Sequence, residues 1–119
     1  MRTCKTEETT KPAIFAHRGA RLEFPENTMS AFRASYDLGA DGIELDLQRT
    51  ADGVLVICHD ENLERLAGVN VDLKDLTWCQ LSELNAGHAF PESPEERFPS
   101  LEEFLSWFAW TSLTVNIEI

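Results

Sequence analysis

The sequence predicts an α/β fold in which short strands alternate with helices. Apolar runs at 13–17, 42–48 and 113–119 are predicted strands, and the last two alternate apolar and polar residues with a period of two. Segments between these strands repeat apolar residues at helical spacing. The strands end close to polar residues, and α/β folds place their functional sites at the carboxyl ends of strands. We therefore expect function at these strand ends.

Length and composition limit the classes of protein to consider. A chain of 119 residues is long enough for one domain with a core but too short for two. Ten Lys and Arg against 21 Asp and Glu give a net charge of −11, which argues against nucleic acid or an anionic membrane as partner. With 43% hydrophobic residues, the chain as a whole is not predicted to be disordered.

Cysteine content and the first residues predict the compartment. Cys4, Cys58 and Cys79 are an odd number without CxxC spacing, so neither a disulfide framework nor a zinc knuckle is indicated. Residues 1–12 are polar and are predicted to be a flexible leader rather than a signal peptide. No run of 18 apolar residues predicts a transmembrane segment. We expect a cytoplasmic protein.

The predicted domain, 13–119, starts with a strand and a helix. The run 13–17 predicts a buried strand that stops at Arg18. A helix of about three turns follows, with Asn27 or Thr28 as its N-cap and Gly39 at its end. Its apolar residues are Met29, Phe32, Tyr36 and Leu38.

A β-hairpin is predicted next. Strand 42–48 carries an acidic face, and an apolar strand, 54–59, follows after only a short turn. Parallel strands need a crossover of a dozen or more residues, so these two strands are predicted to be antiparallel.

The register of this hairpin has two alternatives. A turn at Ala51 and Asp52 pairs residues whose numbers sum to 103, which places His59 opposite Glu44 on the same face. A three-residue loop that includes Gly53 shifts the sum to 104 and points His59 away. The sequence favours the first register.

The remainder contains an irregular stretch, a helix and a last strand. Residues 60–99 show one short helix, which opens with a capping box of Thr77 and Gln80. A second box, Ser100 with Glu103, opens a longer amphipathic helix.

Three carboxylates are candidate metal ligands. Glu44 and Asp46 lie two residues apart on one strand face, so their Cα atoms are about 6.5 to 7 Å apart. Glu118 repeats the pattern in the last strand. An oxygen-only set suits Mg²⁺ or Ca²⁺, whereas the structural alternative is a solvated strand face.

His17, Arg18 and His59 are candidate groups for phosphate chemistry. A lone histidine at a strand end is more often structural than catalytic, but a second one near the same face favours a site. A guanidinium and a carboxylate-bound cation would bind a phosphodiester, and two histidines would serve as general base and general acid.

A series of short motifs, in this order and spacing, resembles the glycerophosphodiester phosphodiesterase family. Any one of them is weak, but together they are specific. The motifs are Ala16-His17-Arg18-Gly19, Pro25-Glu26-Asn27-Thr28, Ala31-Phe32, Gly39-Ala40-Asp41, Ile43-Glu44-Leu45-Asp46, Asp52-Gly53, His59-Asp60, Asp75-Leu76-Thr77, Leu84, Phe98-Pro99-Ser100-Leu101 and Asn116-Ile117-Glu118-Ile119.

The resemblance implies a TIM (β/α)8 barrel with a small insert, about 50–99, after the second strand. It implies hydrolysis of glycerophosphodiesters to glycerol 3-phosphate and an alcohol, or a lysophospholipase D-type activity on lysophospholipids. It also implies one divalent cation, Mg²⁺ or Ca²⁺. The resemblance implies that His17 and His59 are the catalytic pair and that Arg18 contacts the phosphate. It implies that the three metal ligands are Glu44, Asp46 and Glu118.

The length departs from this pattern. A TIM barrel has eight strands and about 250 residues, whereas the sequence predicts three barrel-type strands and one hairpin return. We therefore expect the N-terminal part of an enzyme: a fragment, a truncated gene model or a short isoform. The alternatives are an inactive chain that associates through an open barrel edge at Ile117 and Ile119, or an α/β unit whose acids are merely solvated.

Overall fold

The computed structural model describes residues 12–119 and shows a four-stranded mixed sheet centred on its second strand. Strand β2 pairs in parallel with β1 and β4 and antiparallel with β3. The strands are β1 (Phe15–His17), β2 (Gly42–Arg49), β3 (Leu55–Ile57) and β4 (Thr114–Glu118). The predicted leader, except for its last residue, lies outside the described residues.

Helices begin at the predicted capping residues. Thr28 accepts a hydrogen bond from the backbone of Ala31, and Ser100 accepts one from Glu103. Both halves of the box formed by Thr77 and Gln80 are present. The helices are α1 (Met29–Asp37), α2 (Glu64–Ala67), α3 (Trp78–Leu81) and α4 (Leu101–Phe108), with a 3-10 turn at Leu73–Asp75.

Three local predictions need correction. The stretch 60–99 contains α2 and the 3-10 turn as well as the predicted helix. The predicted strand 54–59 ends at Ile57, so His59 lies beyond it. The first strand is not buried, because Ile14 is 61% and Phe15 38% exposed. Between residues 12 and 119, no helix combines the length and apolar character needed to span a bilayer.

Apolar side chains form two separate clusters. The barrel core lies between the sheet and helices α1 and α4, where the rings of Phe32 and Phe104 meet edge to face with centroids 5.0 Å apart. It consists of Met29, Phe32, Ile43, Leu45, Leu47, Ile57, Phe104 and Leu113. The second cluster lies within residues 50–99, which we call the insert. This insert core consists of Val56, Cys58, Leu63, Leu66, Ala67, Leu73, Leu81, Ala86 and Phe98.

Strand β2 divides its side chains between these helices and an open polar face. Ile43, Leu45 and Leu47 belong to the barrel core, so alternation turns Glu44 and Asp46 to the opposite face. At the start of that face, a Cβ atom on Gly42 would lie 2.5 Å from the Phe15 ring. Glycine at this position therefore lets the Phe15 ring cover the strand.

Candidate functional site

The parallel register places the three predicted carboxylates on one face of the sheet. Asp46 pairs with Glu118 across β2 and β4, and Glu44 lies two residues earlier in β2. The neighbour of Glu44 in β4 is Asn116, whose Nδ2 donates to Glu44 Oε2 at 3.3 Å. On the other side, His17 pairs with Glu44. The structure thus brings His17 and all three acids to the same face.

The carboxylates share this face without forming a closed metal cage. Within residues 12–119, no three His, Cys, Asp or Glu side chains are grouped closely enough to hold an ion. The side chain of Asp46 instead accepts from Asn27 Nδ2 at 3.1 Å and lies 3.5 Å from Arg18 Nε. Asn27 Oδ1 is buried and, among the described residues, has no hydrogen-bond partner. Oxygen donors of this kind fit a hard divalent cation in type.

Arg18 occupies a tight turn after β1. Its φ is 58°, in the left-handed region that costs a non-glycine residue about 1 to 2 kcal/mol, and such strain concentrates at functional sites. The turn is held on both sides: Arg18 N donates to Glu44 O at 2.7 Å, and Asn27 N donates to Arg18 O at 2.9 Å. Gly19 follows at φ 78°, where a Cβ atom would lie 2.8 Å from the Ala31 side chain. These contacts therefore fix the backbone position from which the Arg18 side chain extends.

The favoured hairpin register, which put His59 opposite Glu44, is wrong. Leu47 pairs with Ile57, so the numbers of paired residues sum to 104. Thr50 N donates to Val54 O at 3.0 Å, which closes a three-residue loop that ends at Gly53 with φ 88°. A glycine in the left-handed region at the third loop position is a common way to close such a hairpin. The longer loop shifts the pairing of every later residue of this hairpin with β2 by one position.

The segment around His59 is anchored by Gln48 as well as by the backbone of β2, where Cys58 N donates to Asp46 O at 2.9 Å. Gln48 Nε2 donates to Cys58 O at 3.1 Å and to Asp60 O at 2.6 Å, so it holds the carbonyls on both sides of His59. Alternation puts Gln48 on the same face as Asp46. His59 itself is 45% exposed, and its Nδ1 lies 2.9 Å from Asp60 Oδ1. The polar face of β2 thus positions the histidine segment indirectly.

A network of charges connects the two regions that carry Arg18 and His59. Glu26 accepts from Arg18 and from Arg65, and Arg65 also donates to Asp60. Arg65 is the main cause of a lowered pKa of Asp60, His59 adds to it, and partial burial opposes it. Sequence reasoning missed the roles of Glu26, Asp60 and Arg65. No spacing signal reveals the pair Arg65 and Glu26, because 39 residues separate them.

His17 and Glu118 are exposed on the polar face. His17 also borders an open cleft with Arg21 and Leu22. Arg21 and Leu22 also line a second cleft of about 300 Å³, which lies between the loop at 21–26 and the insert. Its further lining includes Arg65, Leu66 and Phe90.

Comparison with known proteins places this architecture in one family. The family model described as the glycerophosphoryl diester phosphodiesterase family matches residues 17–119. A glycerophosphodiester phosphodiesterase from Caldanaerobacter subterraneus is 44% identical over 110 residues, which are 92% of this chain and 45% of that protein. Glycerophosphodiester phosphodiesterase 1 from Rattus norvegicus is 39% identical over 110 residues, 90% of this chain and 33% of that protein.

Solved structures agree with the fold. The glycerophosphodiester phosphodiesterase from Agrobacterium tumefaciens superposes with a TM-score of 0.83 at 34% identity and covers 88% of this chain and 46% of that one. A phosphodiesterase from Oleispira antarctica in complex with the product sn-glycerol-3-phosphate gives 0.83 at 26% identity, covering 92% and 45%. The predicted fold class is confirmed, since the described residues form an α/β part of a TIM barrel.

The chain spans less than half the length of these relatives. The match nevertheless extends over nearly all of it, from His17 to the last residue. The chain belongs to the glycerophosphoryl diester phosphodiesterase family.

Proposed function

We propose that the protein carrying this sequence hydrolyses glycerophosphodiesters to glycerol 3-phosphate and an alcohol. The observation that carries this proposal is the shared polar face, where His17 of β1 pairs with Glu44 of β2 and Asp46 lies two residues further along β2. Arg18 follows His17 directly, and its Nε lies 3.5 Å from Asp46. The names of the relatives support the same reaction.

Arg18 is the proposed phosphate contact. Its side chain is only 14% exposed, and NH1 is bonded to Glu26 at 3.1 Å. Its Nε is buried and has no hydrogen-bond partner among the described residues, although Asp46 lies nearby. A guanidinium with unused N–H donors suits two phosphate oxygens better than a point charge does.

His17 and His59 are the proposed acid and base. One takes a proton from the attacking water as its oxygen bonds to phosphorus, and the other donates a proton to the alcohol oxygen as its P–O bond breaks. An ionised Asp60 only accepts hydrogen bonds, so it requires the proton of His59 on Nδ1 and leaves Nε2 free. Either assignment of the two roles satisfies this arrangement.

Glu44, Asp46 and Glu118 are the proposed ligands of one divalent cation, Mg²⁺ or Ca²⁺. Such an ion would neutralise charge on the phosphate, which an acidic protein needs in order to bind an anion. The protein residues supply the shared face and, through Asn27, an oriented Asp46 carboxylate.

The glycerol portion of the substrate, which either is free or carries an acyl chain, distinguishes two substrate classes. A relative from Homo sapiens that is 37% identical over 111 residues is named a lysophospholipase D. The cleft beyond His17 offers apolar surface from Leu22, Leu66 and Phe90 to an acyl chain. We propose hydrolysis of small glycerophosphodiesters as the main activity and of lysophospholipids as the alternative.

The test measures glycerol 3-phosphate release from glycerophosphocholine, and choline release from lysophosphatidylcholine. It uses the 119-residue chain and any longer reading frame that contains it, with Mg²⁺, Ca²⁺ or a chelator. We expect His17→Ala and His59→Ala each to lower turnover about 100- to 10,000-fold, the usual contribution of acid–base catalysis. Undiminished turnover in either variant would remove that histidine from the mechanism.

A second candidate function is association through the open sheet. Ile117 is 37% and Phe15 38% exposed, and Ile119, the residue after β4, is fully exposed. Exposed apolar strands pair readily with other chains. Size-exclusion chromatography combined with the assay separates the candidates: a monomer with turnover contradicts association, and an inactive oligomer contradicts catalysis by this chain alone.

A further inference from the structure

We propose that Arg65 is a positioning residue that holds His59 and Arg18 in one hydrogen-bonded frame. The inference rests on the proposed function, because that function gives His59 and Arg18 their roles in proton transfer and phosphate binding. Arg65 itself lies in α2, within the insert, and touches neither of them in the hydrogen-bond network. It acts through Asp60 and Glu26.

The guanidinium of Arg65 makes four hydrogen bonds to two carboxylates. Its Nε and NH2 donate to the two oxygens of Asp60 at 2.9 and 3.0 Å. Its NH1 and NH2 donate to the two oxygens of Glu26 at 3.1 and 3.2 Å. Both contacts are therefore two-point contacts, which fix the planes of the groups as well as their distances.

Each of the two carboxylates also contacts a proposed functional side chain and so helps to orient it. Asp60 Oδ1 also lies 2.9 Å from His59 Nδ1, which sets the tautomer and the plane of the ring. Glu26 Oε2 also accepts from Arg18 NH1 at 3.1 Å. Through these two carboxylates, Arg65 connects His59 in the insert to Arg18 in the turn after β1.

The charges explain why this position needs a cation. The side chains of Glu26 and Asp60 are only 10% and 20% exposed. Two carboxylates sharing one partner repel each other, and burial raises the cost of leaving either one unpaired. Without Arg65, Glu26 would retain Arg18 alone, while Asp60 would retain only the His59 ring.

The geometry further requires arginine rather than lysine. A lysine ammonium is a compact charge and cannot present parallel N–H pairs to two carboxylates at once. Exposed single ion pairs contribute little, and Arg97 provides such a case: it contacts Glu95 at 3.5 Å, and both side chains are at least half exposed. Arg65 is equally exposed, at 51%, but its partners are not.

The test compares Arg65→Lys with Arg97→Lys as the matched control. Both variants keep the net charge and remove a half-exposed guanidinium from the insert. The first readout is the ¹⁵N spectrum of the His59 ring in the 119-residue chain at about pH 8, where a histidine is ordinarily neutral. The chain has three histidines, so His17→Gln and His88→Gln assign the signals.

We expect the wild type and Arg97→Lys to show His59 as the Nδ1–H tautomer. Arg65→Lys should show a mixture of tautomers, because Asp60 loses the clamp that orients it. Asp60→Asn should shift the tautomer as well, because it removes the carboxylate next to His59 Nδ1. Identical His59 spectra in Arg65→Lys and the wild type overturn the inference, as does a wild type without the Nδ1–H form.

The second readout is turnover of glycerophosphocholine, in whichever form of the protein is active. We expect Arg65→Lys to lower kcat/KM roughly 10- to 100-fold, the scale of a small misplacement of reacting groups, and Arg97→Lys to leave it unchanged. Absence of turnover in the wild type would contradict the proposed function while the tautomer measurement still decides the role of Arg65. Equal thermal unfolding of the two lysine variants shows that the spectral change is not a loss of fold.

Discussion

The insert and the barrel strands differ in how completely they bury their apolar residues. In the insert core, Leu63, Leu73 and Leu81 are fully buried, whereas Phe15 in β1 and Ile117 in β4 are more than a third exposed. The insert therefore closes around its own side chains, and the barrel strands do so only on the side covered by α1 and α4. The proposed site draws residues from both regions, since His59 lies in the insert and His17 and Glu44 lie in the barrel strands.

The largest expected effect tests that difference directly. Leu73→Ala should lower the free energy of unfolding by about 2 to 5 kcal/mol, because it leaves a cavity in a fully buried cluster. Ile117→Ala should cost less, about 1 to 2 kcal/mol, because more than a third of the residue already contacts solvent. Chemical denaturation of both variants measures the difference, and equal losses would show that the two regions are packed alike.

A smaller effect is expected from crowding the polar face. A methyl group on Gly42 would lie 2.5 Å from the ring of Phe15 and 2.7 Å from the carbonyl of Thr114. The ring can move, but the backbone of β4 cannot, so Gly42→Ala should cost about 1 to 3 kcal/mol.

The matched control is Gly87→Ala in the insert. Its Cβ would come no closer than 3.3 Å to any atom, and its φ is not in the left-handed region. We expect it to be clearly milder in the same denaturation experiment. A Gly42→Ala variant as stable as the wild type would mean that β4 does not lie against β2 as described.

Local signals in the sequence were sufficient for helices α1, α3 and α4 and for β2, but not for α2, which no capping side chain opens. Thr77 and Ser100 were identifiable as helix starts, and Thr28 as one of two candidates, because a capping side chain bonds to backbone only a few residues away. The alternation from Glu44 to Gln48 was sufficient for the acidic face, because a strand exposes every second residue to the same side.

Contacts between distant parts of the chain were not predictable in this way. The hairpin register depended on whether Gly53 belongs to the loop, and one residue decided the position of His59. Gln48 was visible as a polar residue, yet its bonds to the carbonyls around His59 exist only in that register. Arg65 and Glu26 meet because the insert packs against the loop that contains Glu26, and no local sequence pattern predicts this contact.

The smallest expected effect is a pH dependence at the junction of the two regions. The pKa of Asp60 is lowered in the folded state, chiefly by Arg65 and further by His59. Its contribution to stability is therefore complete above the unfolded pKa of about 3.9 and is lost as the pH falls through the lower folded value. Asp60→Asn should be slightly less stable at neutral pH and should lose stability less steeply below about pH 4. Asp37→Asn, an exposed change at the end of α1, should retain the wild-type slope. Parallel acid limbs for Asp60→Asn and the wild type would show that Arg65 does not hold Asp60 in its charged form.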